Sequence, residues 1–223
     1  MSPNESQASE LKTELQASYL KASLSGSGRQ ADQVLTQAFD HHWSVNQVYL
    51  DIFQATGYTI GALWQTNQVS VAQEHLVTAI IERQMGELHS LFKPKLVKSK
   101  TLVIGSVDNE NHRVGVRMVA DFFEQDGWTV HYLGAAVPTK TFLAIARDLK
   151  ADLVGLSSEM IFHLPAITDF VRQADSFGLA GLSIMAGGMP FIQQPGLYNN
   201  LGVHFSGIDA REAVEKADQL FDK

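Results

Sequence analysis

From Thr101 onward, short apolar runs alternate with amphipathic stretches of helical spacing, and this alternation restricts the fold more than any other feature of the chain. Thr101-Leu102-Val103-Ile104-Gly105 reads as a buried strand, rich in branched side chains and closed by a glycine. Beyond Val116, the residues Met118, Val119, Phe122 and Phe123 return at helical spacing. The pattern repeats with a strand near residues 128–133 and a helix over 139–149. A third strand is expected at 152–156, followed by a helix over 164–177 that tolerates Pro165 in its first turn. A fourth strand falls at 182–185 and a short fifth at 203–205, and Asp209 caps a last helix carrying Ala213, Ala217 and Leu220. Five such strand–helix units predict an α/β fold built on a doubly wound parallel sheet.

The first hundred residues show almost no strand signal. Residues 1–10 are polar and are expected to be disordered, and helical periodicity runs from Leu11 to about Leu91. Leu11, Leu15, Tyr19 and Leu20 mark a first helix, and Ala31, Val34, Leu35, Ala38 and Phe39 a second, with Ser25-Gly26-Ser27-Gly28 as the turn between them. Ser44 with Gln47, and Ser70 with Gln73, have the spacing of capping boxes that open a third and a fourth helix. Residues 11–92 therefore read as a four-helix bundle. Residues 93–100, with one proline and four lysines, read as a solvated linker, and 101–223 as the sheet domain. A formal charge of −7 argues against a nucleic-acid surface, and the absence of cysteine removes disulfides and thiolate metal sites. No apolar run approaches the ~18 residues of a membrane span, and no secretory signal is visible, so a cytoplasmic protein is expected.

In a flavodoxin-like strand order the loop after the first strand lies at the C-terminal edge of the sheet, at the switch point. That loop holds Glu110-Asn111-His112-Arg113-Val114-Gly115. A carboxylate two residues before a histidine can accept the proton on one ring nitrogen, which fixes the tautomer and strengthens the other nitrogen as a metal ligand. Gly115 lets a bulky group approach the start of the helix without meeting a Cβ. These residues resemble the Asp/Glu-x-His-x-x-Gly signature of cobalamin-binding domains, in which the histidine ligates cobalt from the lower face. The resemblance extends to Ser157-Ser158 after the third strand and Gly187-Gly188 after the fourth, where that family flanks a slot for the cofactor's nucleotide tail. It covers roughly residues 100–222 and implies a Rossmann-like cobalamin-binding domain with His112 as the metal ligand.

Trp64, nine intervening residues, and then Glu74-His75 form a second motif at one end of the bundle. This spacing is similar to that of CarH-type light-sensing cobalamin proteins, where the tryptophan and the Glu-His pair cover the upper face of adenosylcobalamin. That resemblance implies a photoreceptor with adenosylcobalamin as chromophore and no enzymatic activity. The signal would pass by rearrangement of the helical cap, or by a change of self-association, to a signalling or transcription partner. Members that regulate transcription begin with a winged-helix domain of the MerR type, for which the ten residues before the first helix leave no room, so no direct DNA binding is expected. Gln65 stands where such sensors commonly place a histidine. Two further readings compete: a storage module or mutase subunit, and a corrinoid carrier of a methyltransferase system. Carriers share the layout but typically have Asp at the position of Glu110, and they need an accessible upper face.

Overall fold

The computed structural model describes residues 3–221, and the chain divides into two compact units, residues 1–92 and 93–223. The first unit is helical. It contains α1 (Pro3–Leu24), α2 (Gly28–Asp40), α3 (Val45–Gln47), α4 (Ala55–Gln65) and α5 (Val71–Leu88). Residues Val48–Gln54 between α3 and α4 are π-helical, so the three pieces run on as one rod and four rods make the bundle among the described residues. Both capping boxes are present: the Ser44 and Ser70 hydroxyls accept from the backbone of Gln47 and Gln73, whose side chains return the bond.

Two features of this unit depart from the sequence reading. The first helix starts at Pro3 rather than near Leu11, so residues 3–10 are ordered helix, and residues 1 and 2 lie outside the described residues. Adding turns to an existing helix has no nucleation cost, so a polar segment can extend it without a buried face. The π-helical stretch widens the third rod, and Val48, Tyr49, Ile52 and Phe53 are all fully buried on it. Tyr49 and Phe53 pack with ring centroids 5.4 Å apart, and the Tyr49 hydroxyl donates to the Met85 carbonyl at 3.1 Å. Tyr19 donates to the side-chain oxygen of Gln84, whose amide donates in turn to Asp32 at 2.8 Å.

The second unit holds the parallel sheet: β1 (Thr101–Ser106), β2 (Thr129–Tyr132), β3 (Leu153–Ser157), β4 (Ser183–Gly187) and β5 (Phe205–Ser206), in the order β2-β1-β3-β4-β5. This is the doubly wound, flavodoxin-like arrangement expected from the alternation. The intervening helices are α6 (Val114–Gln125), α7 (Thr139–Asp148), α8 (Leu164–Ala174), the short α9 (Met189–Gln193) and α10 (Leu197–Asn200), and α11 (Ala210–Phe221). α6 pairs with α11, and α7 with α8. Among the first pair Trp128 lies edge-on between Phe123 and Phe221, at 5.2 and 5.3 Å; among the second, Phe142 meets Phe170 at 5.3 Å. β1 and β3 are buried along nearly their whole length, as central parallel strands covered on both faces must be. Gly155 at the centre has no room for a side chain, since a Cβ there would lie 2.6 Å from Ile104.

Residues 93–100 are exposed along most of their length, as a solvated linker should be, yet they are also tethered to the sheet unit. The backbone amides of Lys95 and Lys98 donate to the carbonyls of Gln125 and Gly127, both at 2.7 Å. The Lys95 ammonium reaches Asp126 at 2.6 Å; that of Lys98 bonds Asp126 and also Asp218, the latter at 2.5 Å. The Asp126 side chain is only 4% exposed, so its charge needs these partners. Burial alone would raise the Asp126 carboxyl, but the two lysines hold it below the usual carboxylate range. Asp126→Asn is expected to cost about 1–3 kcal/mol, less than a wholly buried pair because Lys95 is largely exposed. The same change should speed tryptic cleavage after Lys95 and Lys98 severalfold. Cleavage and denaturant stability equal to wild type would show that the strap is held by its backbone alone.

Candidate functional site

Because β1 and β3 are neighbours while the chain leaves them in opposite directions, the loops after their C-terminal ends diverge and leave a crevice. The loop after β1 is tightly built. The buried Ser106 hydroxyl donates to the His112 carbonyl at 2.6 Å, and the amides of Glu110 and Ala136 bond Val107 and Glu110 carbonyls at 3.0 and 2.8 Å. Asn109 takes the left-handed conformation that turns the chain back (φ 62°). The result drives the Glu110 side chain inward, where it is fully buried.

All of the acceptor capacity of Glu110 is used locally. Its Oε1 accepts from the His112 backbone amide at 3.0 Å and from His112 Nδ1 at 2.5 Å. Its Oε2 accepts from the amides of Glu159 and Met160, at 2.9 and 3.1 Å, and from His163 Nδ1 at 2.9 Å. Burial by itself would raise this carboxyl, but the bonds from His112 and His163 outweigh it and bring it down to about 2. Glu110 is therefore an anion at neutral pH, and since an anion only accepts, His112 carries its proton on Nδ1. The His112 side chain is 49% exposed, and Nε2 is the atom it can offer to a metal.

The loop after β3 completes the crevice. Ser157 ends the strand, its carbonyl accepting from the Val107 amide at 3.0 Å. The Ser158 amide donates to the Gly187 carbonyl at 3.0 Å, and the buried Ser158 hydroxyl donates to the Met160 carbonyl at 3.0 Å. Ser158 thus orders the very segment that presents two amides to Glu110, and its hydroxyl points into the protein. Gly188 adopts φ 114°, and a Cβ built on it would lie 2.0 Å from the Ser158 carbonyl oxygen. Gly115 and Gly187 differ from it: a Cβ on either meets no atom within 4 Å, so both border open space. An imidazole with a fixed tautomer, beside two glycines facing open space, is a donor set that fits a large planar metal cofactor.

In the bundle, Trp64 lies in the last turn of α4 and Glu74 and His75 in the first turn of α5. Glu74 spends its oxygens nearby, on Thr78 Oγ1 at 2.8 Å and on His75 Nδ1 at 2.5 Å, while His75 is 73% exposed. The pair is held by its own helix turn, and an acidic group there also suits the helix dipole.

Glu159 and His163 are the site residues that the sequence did not reveal. Glu159 is pushed up by burial, and it accepts from the Met189 amide at 3.3 Å. His163 meets a partner 53 positions away, the Glu110 carboxylate. Nothing in the spacing of either residue signals this, because their partners come from another βα unit.

Family models described as B12 binding domains match residues 100–217 and 15–89. A curated relative, dimethylamine corrinoid protein 1 of Methanosarcina acetivorans, is 28% identical over 164 residues, covering 72% of this chain and 76% of its own. The solved structure of the Methanosarcina barkeri monomethylamine corrinoid protein superposes with a TM-score of 0.83 at 15% identity, covering 94% of this chain and 99% of that one. A chain of the methanol:cobalamin methyltransferase complex of Methanosarcina barkeri follows with a TM-score of 0.51 at 18% identity, covering 99% and 84%. These findings overturn the light-sensor reading: the relatives are named as corrinoid proteins for methyl-bearing substrates, not photoreceptors. The cobalamin part of the reading stands on the matched domains. Within the motif that suggested a photoreceptor, Trp64 with Glu74-His75, the Glu74 carboxylate is bonded to His75 and Thr78 of its own helix. Among the described residues, no helix is long and apolar enough to cross a membrane.

Proposed function

We infer, for a chain that belongs to the B12-binding domain family, that it is the corrinoid carrier of a methyltransferase system, taking a methyl group from one partner enzyme and presenting it to another. The chain is not itself an enzyme; the methyl-transfer activity lies in the partner methyltransferases. The observation that carries this reading is the buried Glu110 with the His112 imidazole locked on it at 2.5 Å. When bound, a corrinoid supplies a cobalt centre able to accept and release a methyl group. His112 would hold that metal through Nε2, with Glu110 fixing the ring from behind. Gly115 and Gly187 would leave room for the macrocycle and its nucleotide tail. Ser157 would line the slot, and Ser158 and Gly188 would hold its walls in register.

Glu110 departs from the aspartate typical of carriers, but it occupies the same place behind the histidine. One of its oxygens meets His112 while the other reaches the loop after β3. The test has two stages. Cobalamin at about a hundred times its dissociation constant should stabilise the fold by roughly 2.7 kcal/mol in a melt. The loaded, reduced protein should then be methylated by a methylamine or methanol methyltransferase with its methylated substrate, seen in the absorption spectrum. Cobalamin binding without methylation by any of these enzymes would remove the carrier role.

A further inference from the structure

The third rod of the bundle is α-helical at both ends and π-helical over Val48–Gln54. A turn bonded i→i+5 absorbs one residue more than an α turn, so each residue of α4 stands one helical position behind its place in a continuous α-helix. In this register Thr56 and Ile60 face the core, each 2% exposed. Burying Ile60 is favourable, but the Thr56 hydroxyl is buried without a hydrogen-bond partner among the described residues. One step further on, Ala55 and Thr59 would take these two core places. Ala55 has no polar side chain to satisfy, and the Thr59 hydroxyl already donates to the Ala55 carbonyl at 2.8 Å, so it would enter the core paired. One register therefore buries an isoleucine and orphans a hydroxyl, while the other pairs both hydroxyls and gives up the isoleucine. These opposed effects are of the same order. α1 tips the balance: the Gln16 amide donates to the Asp51 carbonyl, inside the π-helical stretch, at 2.6 Å, and Lys12 holds the Asp51 carboxylate at 2.5 Å.

We propose that Val48–Gln54 is a register switch for α4. Passing its extra residue to the far end of the rod turns α4 by about 100° and advances it by about 1.5 Å, the increments of a single residue. Leu63 then takes the place of Trp64 at the end of the helix. Thr66, Asn67 and Gln68, in the turn that follows, are exposed and free to absorb the slack. Packed helices exchange between discrete arrangements rather than sliding continuously, so the second register is a separate, minor state of the bundle. Whatever binds one register better than the other shifts the balance.

The test uses the unloaded full chain labelled with 5-fluorotryptophan, the Trp64 resonance being assigned by Trp64→Phe. Fluorine-19 relaxation dispersion should show Trp64 exchanging with a minor state, while Trp43 and Trp128, outside α4, do not take part. Thr56→Val keeps the shape and removes the orphaned hydroxyl, and should lower the minor population about tenfold. Gln16→Met removes the clip from α1 and should raise it about fivefold. Should that variant not fold, Lys12→Met releases the other contact to Asp51 and makes the same comparison. No exchange at Trp64 in either wild type or the unclipped variant would overturn the proposal. So would a minor population that Thr56→Val leaves unchanged or increases. Exchange of equal size at all three tryptophans would mark general loosening of the chain and would also overturn it.

Discussion

Replacing His112 with alanine is expected to lower cobalamin affinity by at least about 100-fold and to leave any bound cofactor without an imidazole from the protein. The magnitude follows from scale: outer partners of metal-bound histidines alone are worth about 10–100-fold, and this change removes the ligand itself. The fold should survive, because the His112 ring is 49% exposed and contributes little packing. Glu110 also keeps its amide donors from Glu159 and Met160 and the ring of His163, so no buried charge is left bare. Binding titration and the absorption spectrum of the bound cofactor read the result. Unchanged affinity together with an unchanged spectrum would mean that another group holds the metal, and the site as built here would be wrong.

Gly188→Ala is expected to destabilise the sheet unit by about 3–5 kcal/mol. Its φ of 114° is strained for any residue with a Cβ, and the added carbon would sit 2.0 Å from the Ser158 carbonyl oxygen. That oxygen belongs to the backbone of the loop that delivers two amides to Glu110, so it cannot retreat without opening the site. Equilibrium urea unfolding should show the loss, and cobalamin binding should weaken with it. Gly187→Ala is the control, since no atom lies within 4 Å of the added carbon. It should leave stability within about 0.5 kcal/mol of wild type, as surface changes usually do. Equal stability for the two variants would refute the assignment of Gly188 as the wall between the loops.

The five strands and both capping boxes were visible because they depend on residues within one strand or one helical turn of each other. The Glu110-His112 pair was visible for the same reason, being two positions apart. Trp64 and Glu74-His75 do not by themselves separate a sensor from a carrier. Their spacing matched a photoreceptor, but the Glu74 carboxylate is bonded to Thr78 and His75 on its own helix. A carboxylate one residue before a histidine in a first helical turn has a local role available, and spacing alone does not separate that role from ligand contact. The lysine-rich strap is solvated as its composition suggests, but two of its lysines are also bonded to a buried aspartate.

What the sequence determined by itself was therefore everything held by short-range geometry: the alternation that builds a parallel sheet, the helix starts, and the imidazole with its carboxylate. Only the tertiary structure decided which distant groups meet that pair. His163 reaches Glu110 across 53 positions, and Lys98 reaches Asp218 across 120. Such meetings depend on strand order and on which loops diverge at the switch point. No periodicity along the chain encodes them, because the partners share neither a helix turn nor a strand register.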